Sequence, residues 1–258
     1  MLGGAAWLYI PKGYEPGRGH ASVLMLHDDF QDGEDFLEDT KFAAIADRDN
    51  LVLIAPNDEI NIYGQAWVDE DDLESAIGAY KSLQRELCLD PDRLYGLGHA
   101  LGGRALEYLS CEFEFAAIAT TATRRRPDLA LCEPQPPVPY LMISGKQDGY
   151  APIEGGENCN EVDHPLSRSL ADKEEVYRTF NGCGEARAST TLRGGTCTEW
   201  KNCEERFVSC VADGGREWPN VGYKSWASNE KRQKCVGSNN KFPFRETVGK
   251  FFRTAGAN

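Results

Sequence analysis

Apolar residues in this chain arrive in short unbroken runs separated by polar segments. Ala21-Ser22-Val23-Leu24-Met25-Leu26 and Leu51-Val52-Leu53-Ile54-Ala55-Pro56 are nearly continuous, as expected of strands covered on both faces. Val138 to Gly145 repeats the pattern after a proline-rich approach, Leu94 to Leu97 is a further strand, and Phe115 to Ala119 a short one. Ala6 to Pro11 reads as an edge strand ended by proline. Between these runs the spacing becomes helical. Glu34 to Asn50 puts Phe36, Phe42, Ile45 and Ala46 on one side, and a long helix begins at Asp71-Asp72-Leu73 and runs through Ile77, Tyr80, Leu83 and Leu87. Arg104 to Leu109 and Phe244 to Phe252 also read as helices. Beyond Gly149 the pattern is loop-like until a last strand at Glu204 to Val211. Strands alternating with helices predict an α/β fold: a mainly parallel, doubly wound sheet with helices on both faces. One domain is expected over residues 1–258, with a loop-rich, cysteine-containing C-terminal third.

Charge and cysteine content narrow the picture. A formal net charge of -13 argues against nucleic acid, since phosphate binding needs a basic face. The one basic run, Arg124-Arg125-Arg126, reads as a solvated loop. No apolar run approaches the roughly 20 residues of a membrane span. Six of the nine cysteines (Cys159, Cys183, Cys197, Cys203, Cys210, Cys235) crowd the polar C-terminal third. Their spacing does not match a zinc knuckle, so disulfides in an oxidising compartment are expected, with connectivity open. Cys88, on the long predicted helix, is the expected buried free thiol. The expected location is secreted or another oxidising compartment, and the signal peptide is expected to be absent from this chain, since Met1 to Ala6 lacks the length and charged start of one. No Walker or dinucleotide motif occurs, so no cofactor and no metal is expected. Asp71-Asp72 reads as helix cap and dipole partner rather than a metal site.

The chemistry centres on Gly96-Leu97-Gly98-His99-Ala100-Leu101-Gly102-Gly103, a strand, a glycine-flanked turn and the start of a helix. That is the outline of the G-x-S-x-G nucleophile elbow of α/β-hydrolases, with alanine in place of serine. The resemblance extends along the chain. Leu26-His27, Gln31-Asp32, Trp67, Asp71-Asp72, Asp90-Pro91-Asp92-Arg93-Leu94-Tyr95, Gly98 and Gly102-Gly103 follow one another in order. Ser144-Gly145-Lys146-Gln147-Asp148-Gly149-Tyr150, Asn181-Gly182-Cys183 and Gly214-Gly215-Arg216-Glu217-Trp218-Pro219 complete the series. Together they resemble the polyhydroxybutyrate depolymerase, feruloyl esterase and acetylxylan esterase group, which implies secreted esterases with a serine, histidine and acid triad.

Carried over by position, the resemblance puts the triad acid at Asp148, the nucleophile at Ala100 and the base at Arg216. It puts the oxyanion donors around Asp28, Asp29 and the Leu101 N–H. Ala100 has no hydroxyl, and a guanidinium stays protonated and cannot act as a base. Acidic side chains at 28 and 29 would oppose an oxyanion rather than stabilise it. His20, His99 and His27 do not supply a replacement base, and His164 is the flexible histidine candidate. Asp148 and Arg216 are expected to form an ion pair in place of the acid–histidine bond. His27, Trp67, His99, Tyr150 and Trp218 are candidates to line a ligand groove. The reading is a catalytically inactive member of a secreted carboxylesterase family, retained for ligand binding or a structural role in an assembly. Partners would be a polysaccharide, hydroxycinnamoyl or polyester ligand, or a protein. The alternatives are an active secreted carboxylesterase whose serine was changed to alanine, and a carbohydrate- or polymer-binding module using the old cleft.

Overall fold

A computed structural model describes residues 6–29, 31–57, 67, 70–123, 137–159, 166–216, 235–237 and 241–255. Its elements run β1 (Ala6–Tyr9), β2 (His20–Leu26), α1 (Gly33–Thr40), α2 (Ala43–Asp49), β3 (Leu51–Pro56), α3 (Glu70–Glu86), β4 (Leu89–His99), α4 (Leu101–Glu112) and β5 (Ala117–Thr121). Then follow β6 (Tyr140–Gly145), β7 (Gly156–Glu157), β8 (Leu166–Ser167), α5 (Leu170–Phe180), β9 (Arg187–Leu192), β10 (Gly195–Trp200), β11 (Phe207–Ala212) and α6 (Phe244–Ala255). They fall into two compact units, Met1–Ile118 with Arg245–Asn258, and Ala119–Phe244.

In the first unit the strand order is β1-β3-β2-β4. β2 is parallel to both β3 and β4, and β1 closes the edge antiparallel to β3. β2 and β3 are buried along their whole length, which is why they read as continuous apolar runs rather than alternating ones. The Asp90-Pro91-Asp92-Arg93 turn survives as an irregularity inside β4, where the register slips between His20 and Ser22. There the Asp90 carboxylate accepts from the Asp92 N–H at 3.1 Å and the Arg93 guanidinium at 2.7 Å. α6 packs its Phe252 ring on Tyr95 at 4.9 Å and edge-on to Phe42 at 6.3 Å.

The predicted helix from Glu34 to Asn50 is instead two. Lys41 takes a left-handed conformation (φ 50°) that ends α1, and Asn50 (φ 56°) ends α2. The apolar spacing is the same for one helix or two, because each break costs only a single residue of unfavourable backbone.

In the second unit the order is β5-β6-β11-β10-β9. β6 and β11 are parallel, and β11, β10 and β9 form an antiparallel meander. Tyr140, Tyr177 and Phe207 make its aromatic core, with Tyr140 and Tyr177 edge-on at 4.5 Å. α5 opens on a capping box, Ser169 with Asp172. Among the described residues three disulfides lie here, Cys159–Cys235, Cys183–Cys203 and Cys197–Cys210, as the cysteine crowding predicts, while Cys111 of the first unit is also disulfide-bonded. Such bonds are consistent with an oxidising compartment.

Three local expectations are corrected. The segment beyond Gly149 contains α5 and the β9–β10 hairpin rather than loops alone. β5 starts two residues later than expected, at Ala117. Cys88 is a free thiol, the one among the described residues, but it is half-buried in the turn after α3, not buried on the helix. Among the described residues no helix is long and apolar enough to cross a membrane. The Arg124–Arg126 run lies outside the described residues.

Candidate functional site

The elbow is built by close backbone contact. β4 descends buried through Gly96, Leu97, Gly98 and His99, and the chain reverses at Ala100 into α4. Ala100 has φ 48° and ψ -106°, a conformation that non-glycine residues avoid. The turn is this tight because its glycines have no Cβ. A Cβ on Gly98 would sit 2.5 Å from the Gly102 carbonyl oxygen and from the Gly103 Cα, and one on Gly102 would overlap the Leu26 and His27 carbonyl oxygens. The turn therefore has the strain and crowding expected of it. Its apex carries a methyl group, 4% exposed.

The loop that follows β2 is folded against this turn. The His27 imidazole Nδ1 hydrogen-bonds the Asp28 carbonyl at 2.8 Å, and the Trp67 indole N–H donates to the His27 carbonyl at 2.8 Å. The His27 and Trp67 rings are 5.1 Å apart. The Asp28 N–H donates to the Gln31 side-chain carbonyl at 3.4 Å. His27 is fully buried, and burial pushes its pKa below the usual 6.5 against the opposing pull of Asp28, Asp32 and Asp35. Its Nε2 is buried without a hydrogen-bond partner, as suits a neutral ring. His99 is also buried and stacks on Phe36 at 6.3 Å.

The two positions expected around an oxyanion are bonded to each other. The Leu101 N–H, first in α4 and next to the elbow residue, donates to Asp28 Oδ1 at 3.2 Å. Asp28 is 4% exposed, and Asp29 beside it is half-buried. The N–H that the resemblance expects to serve as an oxyanion donor thus holds a carboxylate oxygen from the same chain. Sequence reasoning placed Asp28 near this donor but had no signal for the bond, which joins residues 73 positions apart.

In the second unit Asp148 is buried in the turn after β6, where its Oδ1 accepts the N–H groups of Tyr150 at 2.9 Å and Ala151 at 3.2 Å. Arg216 is 8% exposed, and its guanidinium carbon lies 4.8 Å from the centre of the Tyr150 ring, a cation–π contact. The short segment Cys235 to Gly237, read from the sequence only as the place of a disulfide cysteine, holds both loops. The Cys235 carbonyl accepts from the Gly149 N–H at 2.7 Å, and the Val236 carbonyl accepts from the Arg216 N–H at 3.0 Å. So the structure gathers His27, Asp28, Trp67, Ala100 and Leu101 in the first unit, and Asp148, Tyr150 and Arg216 in the second. His164 and Trp218 lie outside the described residues. Among the described residues no group of three or more His, Cys, Asp and Glu side chains could hold a metal ion.

No family model matches the chain. It is 24% identical over 232 residues to feruloyl esterase B of Piromyces equi, a match covering 84% of this chain and 43% of that one. It is 25% identical over 228 residues to the probable feruloyl esterase C of Aspergillus flavus, covering 83% of this chain and 77% of that one. The chain therefore spans less than half of the former relative and about three quarters of the latter. Among solved structures, the acetyl xylan esterase from Aspergillus awamori superposes with a TM-score of 0.60 at 12% identity, covering 81% of this chain and 86% of that one. That likeness identifies the fold.

Proposed function

We propose, from its similarity to feruloyl esterases and the fold it shares with an acetyl xylan esterase, that this chain is a catalytically inactive member of the α/β-hydrolase esterase group. The reading continues that it is secreted and kept for binding or for a structural part in an assembly. Ester hydrolysis by this fold needs a nucleophile at the elbow, a base to activate it and empty donors for the oxyanion. The observation that carries the proposal is the Ala100 methyl, held in the strained turn where a hydroxyl would have to stand. Two features support it. Arg216, at the position of the base, stays protonated and stacks on Tyr150. The Leu101 N–H is bonded to Asp28. A change of serine to alanine alone would leave the base and the oxyanion seat in working order, which is why these two features weigh against an active esterase with only its nucleophile replaced. Ligands of the expected classes are a polysaccharide, hydroxycinnamoyl or polyester chain, and the alternative partner is a protein.

The test restores the hydroxyl. Ala100→Ser is expected to produce no hydrolysis of acetyl or feruloyl aryl esters above the uncatalysed rate, in a release assay at pH 7 to 8. Robust turnover by this single variant would sink the proposal.

A further inference from the structure

A cavity of about 420 Å³ opens in the second unit where the parallel strands β6 and β11 end. Crevices at the carboxyl ends of parallel strands are where α/β sheets collect ligands, and the volume falls within the roughly 300–1,000 Å³ of small-molecule sites. One wall is the chain leaving β6. The Lys146 N–H donates to the Ala212 carbonyl at 2.8 Å and the Gln147 N–H to the Gly214 carbonyl at 2.9 Å, so the ladder runs on past the strand. The other wall is the turn from Pro152 to Glu154. The Gly155 N–H closes it onto the Pro152 carbonyl at 3.0 Å, and the Leu170 N–H at the start of α5 holds the Ile153 carbonyl at 2.8 Å. Backbone bonds thus set both walls in advance, and a ligand has little left to order on binding.

The lining is of two kinds. Pro152, Ile153 and Val211 are apolar and half-buried, whereas Lys146 and Glu154 are exposed and opposite in charge. Lys146 Nζ lies 3.8 Å from Asp213 Oδ1, with the two side chains 64% and 65% exposed. An ion pair this hydrated holds its members weakly, so the ammonium can turn to another carboxylate. A ligand with a carboxylate alone would meet the like charge of Glu154, and one with an amine alone would meet that of Lys146. A molecule carrying both charges satisfies both.

We infer that this cavity binds a zwitterion with an apolar body, of the class of a short apolar peptide. Its carboxylate pairs with Lys146, its ammonium with Glu154, and its hydrocarbon covers Pro152, Ile153 and Val211. The site lies wholly within the second unit and does not depend on the inert reading of Ala100, so turnover by Ala100→Ser would leave it standing.

The experiment follows the Ile153 and Val211 methyl resonances of the full chain by NMR during titration with leucyl-leucine, at a fixed ionic strength of about 0.15 M. Both are expected to shift saturably, with a Kd of about 1 mM. N-acetyl-leucyl-leucine lacks the ammonium and leucyl-leucine amide lacks the carboxylate. Each should bind about fivefold more weakly, the scale of one exposed charge contact. Glycyl-glycine keeps both charges without the apolar body and should bind more weakly still. Glu154→Gln should no longer distinguish leucyl-leucine from its acetyl form, and Lys146→Met should no longer distinguish it from its amide. Only direct contact between those groups produces that pattern. Both side chains are exposed, so neither variant disturbs the core. The inference is overturned if leucyl-leucine leaves both methyl groups unmoved up to about 20 mM. It is equally overturned if either blocked form binds as tightly as the zwitterion, or if the two variants weaken every peptide alike.

Discussion

His27 lies fully buried between the elbow loop and Trp67, with its Nδ1 bonded to the Asp28 carbonyl and its Nε2 without a partner. Desolvation is the largest influence on it and lowers its pKa below 6.5, although Asp28, Asp32 and Asp35 pull the other way. The unfolded chain therefore takes up this proton at a higher pH than the folded one does. The contribution to stability is present in full above the unfolded value and is lost as pH falls from 6.5 through the lowered folded value. Urea unfolding from pH 8 to pH 5 should show stability declining in the acid half of that range. His27→Asn, whose side-chain amide can still donate to the Asp28 carbonyl, should flatten that part of the curve. An unchanged slope would mean that His27 is not the group responsible. Residue chemistry of this kind was only partly legible beforehand. That position 100 is an alanine and position 216 an arginine, with neither a hydroxyl nor an imidazole, could be read directly. Whether a histidine is buried or neutral depends on residues that the sequence keeps far apart.

Among the elements, β4 and α4 with the turn between them show most clearly how composition becomes geometry. Gly98 and Gly102 permit backbone contacts that no larger residue could make. Gly102→Ala should cost about 3 kcal/mol or more, because the clash is with backbone carbonyls that cannot rotate away. Thermal unfolding checks this, and a loss below about 1 kcal/mol would show that the loop after β2 yields easily. The glycine spacing made this element readable in advance. The β9–β10 hairpin was not. Its strands, Arg-Ala-Ser-Thr-Thr-Leu and Gly-Thr-Cys-Thr-Glu-Trp, are small and polar, and β9 is exposed along almost all of its length. With neither face of β9 packed on a core, no apolar alternation marks it, and it is held by its ladder to β10 and by the Cys197–Cys210 bond in the next pair. The break between α1 and α2 was hidden for a related reason, since one left-handed lysine leaves the apolar spacing intact.

Over the whole molecule, disulfides stand in for packing where the chain is polar. Cys159–Cys235 closes a loop of 76 residues and fixes the segment that hydrogen-bonds Gly149 and Arg216. Replacing both cysteines by serine should lower stability by about 2–4 kcal/mol, mostly by releasing the unfolded chain. It should also loosen the Asp148 turn, seen as faster exchange of the Tyr150 and Ala151 N–H groups that the carboxylate holds. Unchanged exchange there would show that the turn stands on its own hydrogen bonds. The amino-acid sequence by itself determined the parallel core strands, the glycine elbow, the alanine at its apex and the oxidised cysteines. Each of these is a local property: an apolar run, a missing Cβ, a missing hydroxyl, a crowd of thiols. Tertiary structure alone decided the bond from Asp28 to Leu101, the disulfide pairings and the burial of His27 and Arg216. Those depend on which distant residues meet, and a hydrogen bond or a desolvated charge exists only once they do.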